Sequence, residues 1–125
     1  MAHEKWRRQK WKKRNFMRDA KHLKFIRSLC CCVCLRMDTV QACHIRKGVP
    51  LEHKGGMGMK SSDCYVVSLC HHCHNNEQHR VGEQKFWTDM SFPIGLAENL
   101  YALTGNKEKA IHHIIRFNRV LRSKK

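Results

Sequence analysis

Two Cys-x-x-Cys pairs, Cys31/Cys34 and Cys70/Cys73, constrain this chain more than any other feature of its sequence. A CxxC turn points two thiolates at one spot, and two such turns complete the tetrahedral shell that Zn²⁺ prefers. The 35 residues between Cys34 and Cys70 exceed the ~15 to 20 of a simple zinc ribbon, which leaves room for a hairpin between the two knuckles. A shell of four cysteines is closed, so the expected Zn²⁺ is structural and any chemistry has to lie elsewhere. The other cysteines do not suggest a disulfide framework. Cys30, Cys31 and Cys32 are consecutive, which suits disulfide pairing badly, and eight cysteines behind a start with no apolar leader fit metal ligation in a reducing compartment. Cys30, Cys32 and Cys64 are left as packing residues or spare thiols. The expected location is therefore the cytoplasm.

Charge defines the partner class. Lys and Arg number 25 against 10 Asp and Glu, a net charge of +15, and a field of that size attracts phosphate polyanions. DNA is the expected partner. No membrane partner is expected, because the longest apolar run, Leu29 to Leu35, is mostly cysteine and too short to span a bilayer. Residues 1–28 hold +9 of the +15. Pro and Gly are absent there, so the sequence predicts a helix from Glu4 to Phe25 with Phe16, Ala20 and Leu23 on one face. This basic arm reads either as a solvated segment or as a DNA-backbone clamp acting through Arg7, Arg8, Lys10, Lys12, Lys13 and Arg14.

The centre has a different texture. VQACHI (40–45) and CYVVSL (64–69) read as strands, the second alternating Tyr65, Val67 and Leu69 on one face. The Gly and Lys-rich loop between them carries Arg46, Lys54 and Lys60, either as phosphate contacts or as parts of a flexible loop. CHHCHNNEQHRVG then predicts a metal-rich turn and a short helix, so the order is ββα. The tail reads as helices broken at Ser91 to Pro93 and at Gly105. Asn106 is the expected N-cap of a last helix whose stripe is Ala110, Ile114, Phe117 and Leu121. The division expected is 1–28 basic helical arm, 29–90 zinc-stapled core and 91–125 C-terminal helices packed on it, an α+β chain.

The ordered set CxxC, a strand ending in His44, a second strand running into LCxxC, then His74 and His79 resembles the cysteine-bearing branch of the HNH (ββα-metal) nuclease superfamily. CCVC, ACHIRKG, GMGMKSSD, VVSLC and EQHRVGEQKFW are similar to small phage and prophage HNH proteins, including recombination-enhancement nucleases, over roughly residues 27–103. The resemblance implies a metal-dependent DNA endonuclease. It makes His44 the general base, His74 and His79 ligands of a catalytic Mg²⁺ or Mn²⁺, and Asp63 the residue that orients His44 or binds the metal. A recombinase filament is an implied partner.

Three positions depart from the family pattern. His74 and His79 are five apart, about 140° around an α-helix, so either His74 precedes the regular helix or Asn75 replaces it as the partner of His79. Cys43 stands where many family members carry a metal ligand; a thiolate suits hard Mg²⁺ poorly, so the site either leans on Asp63 and water or takes a softer divalent ion. Tyr65 also falls near the family's orienting position. His71 and His72 are expected to face solvent, with His72 as the alternative helper at the metal, and His112 and His113 are not expected to be ligands. The competing class is a zinc-dependent nucleic-acid-binding module without catalysis, which explains the knuckles and the charge but gives His44, Asp63, His74 and His79 no reason to occupy their positions.

Overall fold

The computed structural model describes residues 16–56 and 58–124, without the side chain of His79. The expected contacts Arg7, Arg8, Lys10, Lys12, Lys13 and Arg14 lie outside the described residues. At the centre is an antiparallel pair, β1 (Val40–His44) and β2 (Val66–Cys70), in register from Val40 opposite Cys70 to His44 opposite Val66. Chain order adds α1 (Ala20–Arg27) before the pair and α2 (His71–Asn75) directly after it. α2 runs on without interruption as a π segment, Asn76–Val81. Three helices follow: α3 (Glu83–Trp87), α4 (Ser91–Ala102) and α5 (Lys107–Ser123). The class is α+β, as expected.

β2 lies two residues beyond the expected start. The Tyr65 N–H donates to Ser62 O at 3.0 Å, so residues 62–65 close a turn where an extended strand was expected. The strand instead extends to Cys70, which delivers the second knuckle straight from its end. Nor does β2 show a wet face. Every residue from Ser61 to Cys70 is buried, because α1 packs on both strands and α4 packs on β2.

The basic segment departs from expectation over its described part. Phe16 to Asp19 is not helical, and α1 starts at Ala20 with Asp19 as N-cap accepting from the His22 N–H at 3.0 Å. Hydrogen bonds to residues 60–63 hold Met17, Arg18 and Asp19 extended, and they outweigh the helix propensity of the stretch. The buried face of α1 is therefore His22 and Ile26, with Leu23 and Phe25 half-buried and Ala20 exposed. Residues 17–19 are bound to the 60–63 turn and α1 packs on the strand pair.

In the tail the chain breaks at Thr88 to Met90, and Ser91 to Pro93 begin α4. Pro93 sits in the first turn, where its missing N–H costs nothing. Asn106 caps α5 as expected, accepting from the Lys109 N–H at 3.2 Å. Ala110 and Ile114 are buried and Phe117 and Leu121 half-buried, while Asn118 joins the buried face between them. Among the described residues no helix is long and apolar enough to cross a membrane.

Candidate metal centre and histidine cleft

The first knuckle is a tight turn after α1: the Leu35 N–H donates to Cys31 O at 2.9 Å, the Cys31 N–H to Arg36 O at 2.7 Å, and Leu35 takes φ 64°. It is sewn to β2 by the Cys32 N–H to Ser68 O at 2.9 Å and by Ser68 Oγ to Cys30 O at 2.6 Å. Cys30 and Cys32 are buried packing residues in that seam. Asn118 from α5 donates to the carbonyls of Cys32 and Val33 at 3.2 and 2.6 Å. The second knuckle is the end of β2 and the first turn of α2, with Cys70 as the helix N-cap.

These two turns bring Cys31, Cys34, Cys70 and Cys73 together, with all four Sγ atoms within 4.8 Å of one another and all but Cys34 buried. The Cys34–Cys70 sulfur separation is 3.6 Å. That is too long for a disulfide and close to the ~3.8 Å edge of a tetrahedron with Zn–S bonds of ~2.3 Å. Burial pushes the Cys70 thiol up, but hydrogen bonds from the Cys73 N–H and from the Cys73, Cys34 and Cys31 sulfurs outweigh it and hold the group below the ordinary thiol value. The cluster can bind a structural metal ion such as zinc. Among the described residues it is the one group of three or more His, Cys, Asp or Glu ligands placed to do so.

A second constellation lies at the opposite end of the strand pair. His44, the last residue of β1, is buried with its Nε2 2.7 Å from Asp63 Oδ1. Asp63 Oδ2 also accepts from the Asp19 N–H at 2.7 Å. As an acceptor, this carboxylate makes Nε2 the protonated nitrogen of His44 and Nδ1 the basic one. Burial lowers the His44 pKa, and the charges of Lys60 and Arg18 add to that. The hydrogen bond and charge of Asp63 oppose it without reversing it. Of the two roles open to Asp63, the hydrogen bonds match the one that orients His44. Tyr65 is not the orienting residue, because it donates to Glu98 Oε2 at 2.9 Å.

His44 opens on a cleft of about 220 Å³ lined by Ala42, Arg46, Lys60, His74 and Gln78 as well. Asn75 is exposed and donates to His71 Nε2 at 3.1 Å, so His74 is the residue that faces the cleft. His74 Nδ1–H donates to Gln41 Oε1 at 2.6 Å, which makes Nε2 its basic nitrogen. An i→i+5 pattern brings positions five apart roughly one turn on, and four of the five residues from 75 to 79 lie in the π segment. His72 is exposed and within 3.1 Å of Asn76, as expected for a solvent-facing residue.

Cys43 does not contribute to the cleft. Alternation along β1 turns it to the face opposite His44, where it is fully buried and donates to Glu77 Oε2 at 3.3 Å. Burial, and then the Glu77 charge, push its thiol far above the ordinary value. Glu77 also accepts from Trp87 Nε1–H at 2.9 Å. This buried acid has no signature in the sequence, and burial raises its pKa despite the two donors. Glu83 is a further addition, accepting from the N–H groups of Arg46 and Lys47 at 3.0 and 2.6 Å. The glycine loop folds back on itself: a Cβ on Gly55 would lie 2.4 Å from Lys60 O. Arg46, Lys47 and Lys54 border a second hollow of about 370 Å³ beside that loop.

No protein-family model, curated protein or solved structure matches the chain.

Proposed function

We propose that this chain is a metal-dependent DNA endonuclease of the HNH type, hydrolysing phosphodiester bonds, phage or prophage encoded and linked to DNA recombination or processing. The observation that carries the reading is the buried His44–Asp63 pair, 2.7 Å apart, opening on a cleft that also holds Arg46, Lys60 and His74. A module that only binds nucleic acid needs the cations and the zinc knuckles. It has no use for an imidazole clamped to a buried carboxylate.

In this reading His44 Nδ1 takes a proton from the attacking water, and Asp63 holds the ring and balances the imidazolium that forms. Arg46 and Lys60 bind the phosphate oxygens flanking the attack. His74 and His79 would hold the divalent ion. The donor chemistry of His74 fits, because a ligating histidine ordinarily gives its other N–H to a carbonyl oxygen, as His74 does to Gln41. Mg²⁺ or Mn²⁺ held there would supply positive charge to the crowded phosphate and the leaving oxygen.

Plasmid cleavage with Mg²⁺ or Mn²⁺, with and without a recombinase filament, tests the proposal. The wild type is expected to nick or linearise DNA. His44→Ala should keep its zinc and its DNA affinity and lose about 10² to 10⁴ in rate, the usual cost of a missing general base. Equal cutting by pure His44→Ala and wild type would leave the non-catalytic zinc module as the better account.

A further inference from the structure

The His44–Asp63 pair is not held by the strands alone. Asp63 lies in the turn before β2, and the segment that clasps this turn comes from before α1. The Met17 N–H donates to Ser62 Oγ at 3.1 Å, the Asp63 N–H to Met17 O at 2.9 Å, and the Asp19 N–H to Asp63 Oδ2 at 2.7 Å. Between them, the Arg18 guanidinium donates to Ser61 O at 2.6 Å, to Lys60 O at 3.0 Å and to Asp63 Oδ1 at 3.5 Å. The Phe16 ring backs it, 4.7 Å from Cζ.

As an ion pair this contact would be worth little, because the Arg18 side chain is 47% exposed and 3.5 Å from the carboxylate. Its geometry suits a different task. A planar fork reaches three acceptors on one turn, which an ammonium cannot match. The same fork grips the backbone of Lys60, whose side chain lines the cleft, and the oxygen of Asp63 that accepts from His44.

We infer that Arg18 is a positioning residue for His44: through the 60–63 turn and Asp63 it fixes the imidazole with Nε2 protonated and Nδ1 toward the cleft. The consequence for cleavage rests on the nuclease reading; the consequence for the ring does not. Without the fork, Asp63 keeps only main-chain support from the clasp. The His44 ring then samples both neutral tautomers and loses its single orientation.

The experiment uses the full chain with zinc bound, labelled with ¹⁵N-histidine. Two-bond ¹H–¹⁵N spectra of the wild type should show His44 as the Nε2–H tautomer. Arg18→Ala should show a mixture, and kcat for cleavage should fall about 10- to 100-fold, the usual cost of removing a group that orients another, with KM little changed. Arg18→Lys keeps the charge but not the fork and should behave like Arg18→Ala. It is also the variant to read if Arg18→Ala fails to fold. A single unchanged tautomer in both variants overturns the inference, and so does a loss confined to KM, which would make Arg18 a phosphate contact. If the tautomers mix but His44→Ala cuts like the wild type, the proposed activity fails while the positioning of His44 by Arg18 stands.

Discussion

The cysteine cluster and the histidine cleft occupy opposite ends of one two-stranded sheet and are built in opposite ways. Four equivalent ligands from two local turns make the cluster, and they satisfy one another once an ion joins them. The cleft takes unlike residues from β1, the 60–63 turn, the segment before α1 and the helix after β2, and each depends on a partner behind it: His44 on Asp63, Asp63 on Asp19 and Arg18, His74 on Gln41. A centre whose ligands sit three apart in two turns should fail chiefly when a ligand goes, even though Ser68 and Asn118 brace its first knuckle. One assembled from distant segments degrades in steps, as each support is removed.

The largest expected effect breaks the cluster itself. Cys70→Ser, or a strong chelator, should unfold the chain and take the cleft with it, since structural zinc contributes about 10 to 16 kcal/mol in small zinc domains. Metal analysis should find about one zinc per wild-type chain, and circular dichroism should show the loss. A folded, zinc-free Cys70→Ser protein would mean that the cluster does not support the sheet.

Truncation sharpens the contrast. Residues 1–15 carry seven Lys or Arg and one acid. Removing them should leave zinc content and fold unchanged, weaken DNA binding and flatten its salt dependence by about 0.9 for each phosphate that the arm no longer neutralises. Removing residues 1–28 should do more. It strips Arg18 and Asp19 from the cleft and the buried His22 and Ile26 from the core, so thermal stability should drop as well. Equal salt slopes for the full chain and the shorter truncation would exclude the arm as a clamp.

A smaller effect is expected from pH. The base acts in its neutral form, and burial holds His44 below the ordinary histidine value of 6.5. The protonated fraction therefore falls as pH rises through that lowered value, so kcat/KM should climb in the acid range and be level by pH 7. Asp63→Asn removes an influence that raises the His44 pKa. Its acid limb should move further toward acid, on top of a lower plateau from poorer orientation. A pH–rate profile of both proteins checks the direction, and an acid limb centred above 6.5 would contradict it.

What could be read from the sequence follows the same division. Ligands three apart in two turns announce themselves, as do a strand ending in His44 and the cap at Asn106, because each is a local pattern with one physical meaning. Arg18 carries no such signal. It sits in a run of basic residues whose helix propensity points to the wrong local structure, and its partners are more than forty residues away. Glu77 was hidden for a related reason: a carboxylate in a polar stretch is normally exposed, and its burial depends on Cys43 and Trp87 converging from other elements. Asn118 could have been found, since it continues the Ala110 and Ile114 spacing by one more step of four.

The π segment Asn76–Val81 sets the register of the helix between the second knuckle and Gly82. A π turn holds one residue more than an α turn, so it is how a helix absorbs a single-residue insertion without shifting what lies on either side. Four of the five steps from position 74 to position 79 fall in the segment. Deleting exposed Asn75 would shorten the interval to four and let the helix relax to α-helical pitch, with the second knuckle upstream and Gly82 downstream left in place. A one-codon change would thus separate two registers of this helix.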